Sequence, residues 1–221
     1  MKVILTGATG FIGKEVLHQA LENEAISSII VLSRKPLAET ISSHPKVVVR
    51  VIGDFINYPE SLLRDLAGAE ACFWCLGLAY SNDLEIYRTV NVEYTMAAVK
   101  AFTANLAGYI TKPFKFLYCS GFVAERDQEK PLWVMPSARR IRGQVENELL
   151  QHGMEHPGEV DVWILRPAAV LPKEGILQML IAGFGPSIRV DGLAGAFVDI
   201  GVNGSDGERI LENGMLKRWA K

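Results

Sequence analysis

The first thirteen residues constrain the fold of this chain more than any other stretch. A short apolar run, Val3–Thr6, is followed by a turn with glycines at positions 7, 10 and 13, and an amphipathic run begins near Phe11. A strand, a glycine turn and a helix in this order form a cradle for nucleotide phosphates, because glycine lets the backbone approach a pyrophosphate and the helix N-terminus offers free N–H groups. The alternative is an ordinary turn whose glycines serve packing only. The residues predicted to contact a dinucleotide here are Gly7, Ala8, Thr9, Gly10, Phe11, Ile12 and Gly13.

The composition of the chain indicates one globular domain and disfavours several classes of partner. Its 221 residues are 49% hydrophobic and 22% charged, with a net charge of −2, which suits a single α/β domain over residues 1–221. Because the charge balance is not basic, we do not expect nucleic acid as a partner. No apolar stretch reaches the ~18 residues that a membrane span needs, so no membrane partner is expected. No signal-peptide pattern precedes the first strand, and we expect a cytoplasmic protein.

The three cysteines are predicted to be buried apolar residues. Cys72 and Cys75 form a C-x-x-C pattern, which is typical of redox pairs and of half a zinc site. Residues three apart on a strand point to opposite faces of a sheet, however, so the two thiols are not expected to meet. The sequence offers no second cysteine pair and no clustered histidines, and no metal site is predicted.

Apolar strands alternate with amphipathic helices through about residue 166. The predicted strands are Val3–Thr6, Ser28–Leu32, Lys46–Ile52, Glu70–Leu76, Phe114–Ser120 and Val160–Leu165, with long helices over 83–105 and within 133–151. This alternation predicts an α/β fold with a doubly wound, mainly parallel sheet and helices on both faces, which is the Rossmann arrangement.

The stretch from about residue 172 to 221 is less regular and richer in glycine. We expect short helices over 174–182 and 191–202, a short strand over 208–211 and a terminal helix over 212–220. Because this tail follows the last predicted strand of the Rossmann unit, we interpret it as a small substrate cap within the same domain.

The end of the second predicted strand indicates which dinucleotide is bound. In dinucleotide folds this position faces the adenosine ribose, and an acidic residue there binds the 2′-hydroxyl of NAD. This chain has Ser33, Arg34 and Lys35 instead, and two cations with a hydroxyl suit the 2′-phosphate of NADP(H). The alternative is a solvated turn with two surface charges.

The ends of the third and fourth predicted strands also belong to the expected cofactor site. Asp54 is placed to accept from the adenine amino group, and Phe55 is placed to cover the ring. Asp54 is equally suited to capping the next segment, Pro59–Leu66. Leu76 and Gly77 end the fourth strand, where a glycine lets the chain pass close to whatever lies over the first glycine loop. Asn91, within the long helix, either bonds a group near the active site or faces solvent.

An ordered set of short motifs extends from residue 1 to about residue 172. The motifs are Thr6–Gly13, Leu32–Arg34, Gly53–Phe55, Cys75–Gly77, Val90–Val92, Tyr118–Ser120, Arg142–Glu146 and Leu165–Pro167. Together they resemble the atypical short-chain dehydrogenases/reductases, whose NAD(P)-binding fold is like that of nucleoside-diphosphate-sugar epimerases. The resemblance is greatest to the HTATIP2-like oxidoreductase group and its fungal relatives. It implies a nicotinamide cofactor, with Arg142 and Pro167 among the residues beside it.

The resemblance implies a catalytic serine, a tyrosine and, four residues later, a lysine. Ser120 matches the serine, but Arg142 stands in the lysine position and Ala138 in the tyrosine position. Alanine has no proton to donate, and arginine, with a pKa of ~12.5 or above, is a poor proton shuttle. We therefore predict Ser120, Arg142 and Arg139 as catalytic residues with an altered proton transfer. For the arginines, a solvated basic helix face is the alternative.

Three functions are compatible with these residues. The first is an NADP(H)-dependent oxidoreductase that reduces a small organic carbonyl or enone. The second is a non-redox isomerase, cyclase or dehydratase on the same scaffold, and the third is an NADP(H)-responsive regulatory protein without catalysis. Both alternatives are motivated by the missing tyrosine. Exposed faces of the two long helices allow a homodimer, and the small size of the chain also permits a monomer.

Overall fold

A seven-stranded parallel sheet forms the centre of the molecule. The structure is a computed structural model that describes residues 1–109, 111–174 and 185–220. The strands in these ranges are β1 (Lys2–Thr6), β2 (Ser28–Ser33), β3 (Val47–Val51), β4 (Ala69–Trp74), β5 (Phe114–Cys119), β6 (Val160–Arg166), β7 (Ala169–Leu171), β8 (Ser187–Arg189) and β9 (Ile210–Glu212). Their order in the sheet is β3-β2-β1-β4-β5-β6-β9, while β7 and β8 pair separately. The predicted parallel Rossmann sheet is thus confirmed.

Helices cover both faces of the sheet. The helices within the described ranges are α1 (Phe11–Glu22), α2 (Glu39–Ser42), α3 (Glu60–Leu66), α4 (Leu84–Arg88), α5 (Tyr94–Leu106), α6 (Pro136–Glu155), α7 (Val190–Asn203) and α8 (Asn213–Leu216). One π-helical turn, Thr89–Glu93, joins α4 to α5, and short 3₁₀ turns occupy Ala107–Tyr109 and Lys217–Trp219. The long helix predicted over 83–105 therefore exists, with a π turn in its middle.

The central strands are buried on both faces, as a parallel sheet requires. On β1, Val3 and Leu5 pack with α1 and α7, whereas Ile4 packs on the opposite face with α5 and α6. The two faces also separate the cysteines of the C-x-x-C pattern. Cys72 belongs to the α5 and α6 side and Cys75 to the α1 and α7 side, so the prediction that their thiols do not meet is confirmed.

The described part of the C-terminal tail, residues 185–220, packs on the main sheet, and the substrate cap within 172–221 stays a prediction. Strand β9 pairs with β6 and extends the main sheet, and α7 packs against α1 and β4 with Leu193, Phe197 and Ile200 fully buried. An apolar helix of this kind is stabilised by covering the sheet face, so the described tail completes the Rossmann layers. The predicted short helix over 174–182 falls almost wholly outside the described residues. In the described ranges, no helix is long and apolar enough to cross a membrane.

Candidate dinucleotide-binding and active site

The glycine loop between β1 and α1 adopts a backbone that side chains would obstruct. Gly7 has φ of +70°, and a Cβ there would lie 2.4 Å from the carbonyl oxygen of Cys75. A Cβ on Gly13 would lie 2.1 Å from the carbonyl oxygen of Gly7. The Gly10 N–H closes the turn by donating to that same Gly7 oxygen at 2.9 Å. The loop is therefore held tightly between the end of β4 and the start of α1.

The N-terminus of α1 is open toward solvent. Its N-cap residue, Gly10, offers no side chain to bond the first N–H groups, and the first turn carries no acidic residue. Thr9, Gly10 and Phe11 are exposed, while Ile12 packs partly against the core. Unpaired N–H groups at the positive end of a 12-residue helix form a site for an anion such as a pyrophosphate.

A cleft of about 340 Å³ lies at the carboxyl ends of β1 and β2. Its walls come from the glycine loop, from the end of β2, and from two apolar side chains. The lining residues are Gly7, Ala8, Thr9, Leu32, Ser33, Arg34, Lys35, Pro36, Phe55 and Leu76. Eight of these were predicted cofactor contacts, so the fold brings distant predicted residues to one cleft, where parallel α/β sheets bind ligands.

The two cations at the end of β2 are exposed at this cleft. In the ranges that the structure describes, neither Arg34 nor Lys35 forms a salt bridge. The Ser33 hydroxyl accepts a hydrogen bond from the Lys35 N–H at 3.3 Å, which shapes the turn. Both positive side chains are therefore available to an anionic ligand.

Asp54 closes a turn directly after β3 and does not cap α3, whose N-cap is Pro59. Its Oδ1 accepts from the N–H groups of Asn57 at 2.9 Å and Ile56 at 2.8 Å. These two bonds, with that of Asn57 the larger cause, lower the pKa of the carboxyl below its ordinary value. Asp54 is absent from the lining of the cleft, whereas the neighbouring Phe55 is almost fully buried and reaches it. The turn is of the Asx type and uses Oδ1, and the contact of Asp54 with adenine stays a prediction.

The segment after β4 is fixed by a side chain from the π turn. The amide of Asn91, which is 1% exposed, accepts from the Leu78 N–H at 3.1 Å and donates to the Tyr87 carbonyl at 2.9 Å. The Leu76 N–H donates to the hydroxyl of Thr6 at 3.2 Å. Gly77 lies between these two fixed points. Asn91 therefore bonds backbone, and the π turn places it there.

Arg142 extends from α6 toward the same segment. Its Nε donates to the Tyr87 hydroxyl at 2.7 Å and its Nη2 donates to the Leu78 carbonyl at 3.0 Å. Burial alone would lower the pKa of Arg142, but the hydroxyls of Tyr118 and Tyr87 outweigh it and raise the pKa. The guanidinium therefore stays charged beside the end of β4.

Ser120 follows the end of β5, and its hydroxyl is bonded to a buried carboxylate. The Ser120 hydroxyl donates to Glu146 Oε1, and Glu146 is fully buried. Arg166 binds both oxygens of Glu146 and also reaches Glu212 at 2.8 Å. The predicted catalytic serine is thus part of a hydrogen-bonded series of four side chains, Ser120, Glu146, Arg166 and Glu212. Its hydroxyl proton is already donated to Glu146.

The remaining predicted site residues lie near the loop after β5. Arg139 donates to the Val123 carbonyl at 2.9 Å and lies 4.0 Å from Glu125, so it holds this loop onto α6. The buried Pro167 accepts from the Phe122 N–H at 2.8 Å and is not among the residues that line the cleft. Neither residue contacts Arg142 through these bonds.

Sequence reasoning missed the partners that fix this end of the site. Tyr87 and Leu78 lie 55 and 64 residues from Arg142 in sequence, and no local pattern connects them. Glu146 offered a weak signal, because it lies four residues after Arg142 and hence on the same helix face. A carboxylate in an otherwise apolar helix stripe indicates a buried polar partner.

The fold is similar to that of solved short-chain dehydrogenases/reductases. Gre2 from Candida albicans has a TM-score of 0.74 at 15% identity, covering 96% of this chain and 77% of Gre2, and it is also known in complex with NADPH. A short-chain dehydrogenase/reductase from Burkholderia thailandensis has a TM-score of 0.70 at 17% identity, covering 97% and 92% of the two chains. At such identities the likeness establishes the fold alone.

Curated relatives resemble the chain in sequence over different lengths. The leucinostatins biosynthesis cluster protein T of Purpureocillium lilacinum is 32% identical over 123 residues, which are 54% of this chain and 42% of that protein. The hybrid PKS-NRPS synthetase poxE of Penicillium oxalicum is 32% identical over 55% of this chain and 3% of its own length. The mitochondrial protein FMP52 of Debaryomyces hansenii is 23% identical over 86% and 77%. The chain thus spans less than half of the first two relatives.

No protein-family model matches the chain. The predicted short-chain dehydrogenase/reductase fold is confirmed by the solved structures, while the narrower resemblance to the HTATIP2-like group stays a prediction.

Proposed function

We propose that the protein binds NADP(H) and reduces a small organic carbonyl or enone. The observation that carries the proposal is the cleft, in which the glycine loop and the open N-terminus of α1 face the exposed cations Arg34 and Lys35. Gly7 and Gly13 let the loop pack against the backbone of the β4 end and of its own turn, and the uncapped first turn of α1 beside this loop fits the phosphates of a dinucleotide. The similarity in fold to Gre2, which is known with NADPH, supports the same cofactor.

The chain supplies distinct groups to each part of such a cofactor. The N–H groups of α1 bind the pyrophosphate, Arg34 and Lys35 bind the 2′-phosphate, and Phe55 and Leu76 provide apolar walls. When bound, the reduced nicotinamide supplies a hydride to the substrate. Arg142 stabilises the negative charge that develops on the substrate oxygen, because its guanidinium is held charged at the end of β4.

Proton transfer has to proceed without the usual tyrosine. Ala138 carries no proton, and burial raises the pKa of Tyr118, which therefore retains its own. The Ser120 hydroxyl donates to Glu146 and is not free to donate to substrate. We assign the proton to solvent water, with Arg142 as the residue that holds the oxyanion, and Arg139 as a residue that positions the loop after β5.

The direct test is turnover of NADPH by the complete chain. The protein is incubated with NADPH and a panel of quinones, enones and aldehydes, and the nicotinamide absorbance is followed. We expect oxidation above background with at least one class, and a loss of about 10²-fold or more in kcat for Arg142→Gln. The matched control is Arg88→Gln, because Arg88 is exposed and donates to Gln144 on the surface. Absence of turnover across the panel, with NADPH demonstrably bound, contradicts the proposal.

A specific observation favours one second candidate, an NADP(H)-binding protein without catalysis. The Ser120 hydroxyl is occupied by Glu146 and position 138 is an alanine, so two of the three usual catalytic groups are not available. This candidate predicts stabilisation by NADP(H) with no turnover for any member of the panel. The turnover experiment therefore distinguishes the two.

Location and assembly belong to the proposal as well. We propose a cytoplasmic protein, and a homodimer formed through exposed faces of α4 and α6, where Leu84 and Ile86 are exposed on α4. One relative is named as mitochondrial, so cell fractionation is the measurement of location. Light scattering after size-exclusion chromatography measures the mass, and a mass of one chain contradicts the homodimer.

A further inference from the structure

Arg142 is a partly buried cation without a carboxylate partner in the described part of the chain. Its hydrogen bonds go to two neutral oxygens, the Tyr87 hydroxyl and the Leu78 carbonyl. Arg166, at the next strand end, is bonded instead by the carboxylates of Glu146 and Glu212. Because buried charges are normally paired, the contrast indicates that the counter-ion of Arg142 arrives with a ligand.

The guanidinium keeps a free edge for that ligand. Two of its five N–H donors are used, by Tyr87 and Leu78, which leaves three donors on Nη1 and Nη2. Nη1 lies over Gly121, where an added Cβ would approach it to 3.2 Å, so the glycine leaves room beside it. A planar fork with donors on both Nη atoms matches the two oxygens of a carboxylate, which a lysine in this position would not do.

The loop that follows Gly121 exposes two apolar side chains and is held in place. Phe122, which follows Gly121, is 52% exposed, and Val123 is 46% exposed. Their backbone is fixed because the Phe122 N–H donates to Pro167 and the Val123 carbonyl accepts from Arg139. Exposed apolar residues on a fixed loop, directly after the glycine that faces Nη1, suit a ligand with an apolar body and one negative end.

The anion is distinct from the phosphates of the dinucleotide. The phosphate-binding groups, which are the N-terminus of α1 with Arg34 and Lys35, line one cleft, and Arg142 is not among the residues that line it. We propose that Arg142 binds the carboxylate of the substrate through its free Nη donors. The substrates are then small oxo acids with an apolar body, in which the carboxylate lies beside the carbonyl whose developing charge the same guanidinium stabilises. The inference rests on the proposed function only in naming the bound acid a substrate.

The test measures carboxylate binding by the complete chain through ligand-observed NMR titration. The probes are phenylacetate, its neutral analogue phenylacetamide, and acetate, each with and without NADP⁺. We expect phenylacetate to bind at least tenfold more tightly than phenylacetamide, because only the former offers two anionic oxygens to the fork. Acetate is expected to bind more weakly than phenylacetate, since it lacks the apolar body.

Two variants and one control assign the effect to Arg142. Arg142→Gln is expected to reduce the preference for phenylacetate over phenylacetamide to about onefold, and Arg142→Lys to retain a smaller part of it. Arg88→Gln, which removes an exposed arginine from the end of α4, is expected to leave the preference unchanged. Circular dichroism melting verifies that each variant folds. If Arg142→Gln fails to fold, the inference is tested by two other measurements: the preference for phenylacetate in Arg142→Lys and the same preference in the unaltered chain.

Three results overturn the inference. Equal binding of phenylacetate and phenylacetamide to the unaltered chain is the first, and a preference that persists in folded Arg142→Gln is the second. Displacement of phenylacetate by NADP⁺ is the third, because the anion at Arg142 would then be a cofactor phosphate. Carboxylate selectivity without any NADP(H) binding would instead contradict the proposed function while the carboxylate site stands.

Discussion

The two ends of the site differ in how closely they follow the expected pattern. At the dinucleotide end, the glycine loop, the open helix N-terminus and the Arg34–Lys35 turn meet in one cleft. At the catalytic end, Ala138 replaces the tyrosine, the Ser120 hydroxyl is bonded to Glu146, and an arginine without a carboxylate partner in the described ranges stands in the lysine position. The cradle depends on backbone geometry, whereas the chemistry depends on three side chains. A chain with this fold can therefore retain the cofactor site while changing its reaction.

The largest expected effect concerns the backbone of the cradle. Gly13→Ala places a Cβ about where the Gly7 carbonyl oxygen lies, only 2.1 Å away, and backbone cannot shift cheaply. We expect the free energy of unfolding to fall by about 3 kcal/mol and NADP(H) stabilisation to disappear. Gly53→Ala is the matched control, since nothing lies within 4 Å of its Cβ. Urea unfolding with and without NADP(H) measures the free energy of unfolding and its increase on cofactor binding for each variant. Equal stability of the two variants would show that the loop is not tightly packed.

The next effect concerns the buried carboxylate at the catalytic end. Glu146→Gln leaves Arg166 without its buried partner and Ser120 without its charged acceptor. Because breaking a buried ion pair leaves an uncompensated charge, the expected loss is about 3 kcal/mol. Glu212→Gln removes the half-exposed partner of the same arginine and should cost about 1 kcal/mol or less. Similar losses for both variants would contradict the buried role assigned to Glu146.

The third effect separates the two nicotinamide cofactors. Arg34→Ser removes a cation that is exposed at the cleft and forms no salt bridge in the described ranges. We expect NADPH to bind roughly tenfold to a hundredfold more weakly, because a charge-assisted bond of about 1.5–3 kcal/mol is lost, with NADH little affected. Fluorescence titration with both nucleotides measures the change. A parallel loss for NADH would show that Arg34 does not contact a 2′-phosphate.

The sequence predicted the cradle better than the catalytic end for a physical reason. Gly7 and Gly13 lie where a Cβ would clash with nearby backbone, and both belong to the turn between β1 and α1. Their spacing in the sequence therefore predicts this turn by itself. The bond from Arg142 to Tyr87 joins residues 55 positions apart, and Ser120 and Glu146 are 26 apart. Such pairs depend on which strand ends and helix turns meet, and no sequence spacing specifies that.

The tail illustrates the same limit at the level of elements. A short helix was predicted over 191–202, and it is present as α7 (Val190–Asn203). Periodicity shows that a helix has an apolar face, but not which surface that face covers. The sheet face beside α1 was open to it, and Leu193 and Phe197 are buried there. The predicted helix is therefore confirmed, while the substrate cap within 172–221 stays a prediction, since residues 175–184 lie outside the described ranges.

The smallest expected effect concerns pH. Two backbone N–H bonds lower the pKa of Asp54 from its ordinary 3.8, so the carboxylate stabilises the fold above that pH and the contribution is lost as pH falls through the lowered value. Asp54→Asn should therefore slightly reduce stability at pH 7 and flatten its decline below about pH 4. Thermal melts between pH 2 and pH 7 compare the melting temperatures of the variant and the unaltered chain. An unchanged acid profile would show that the turn does not depend on the charge.

The measurement that tests the central claim most directly is the affinity of the complete chain for NADPH and NADH. The exposed cations at the end of β2 predict that NADPH binds at least tenfold more tightly than NADH, which corresponds to about 1.4 kcal/mol. Calorimetric titration gives both dissociation constants in one experiment. Failure of both nucleotides to bind at about 1 mM, or tighter binding of NADH, would contradict the assignment of this cleft to NADP(H).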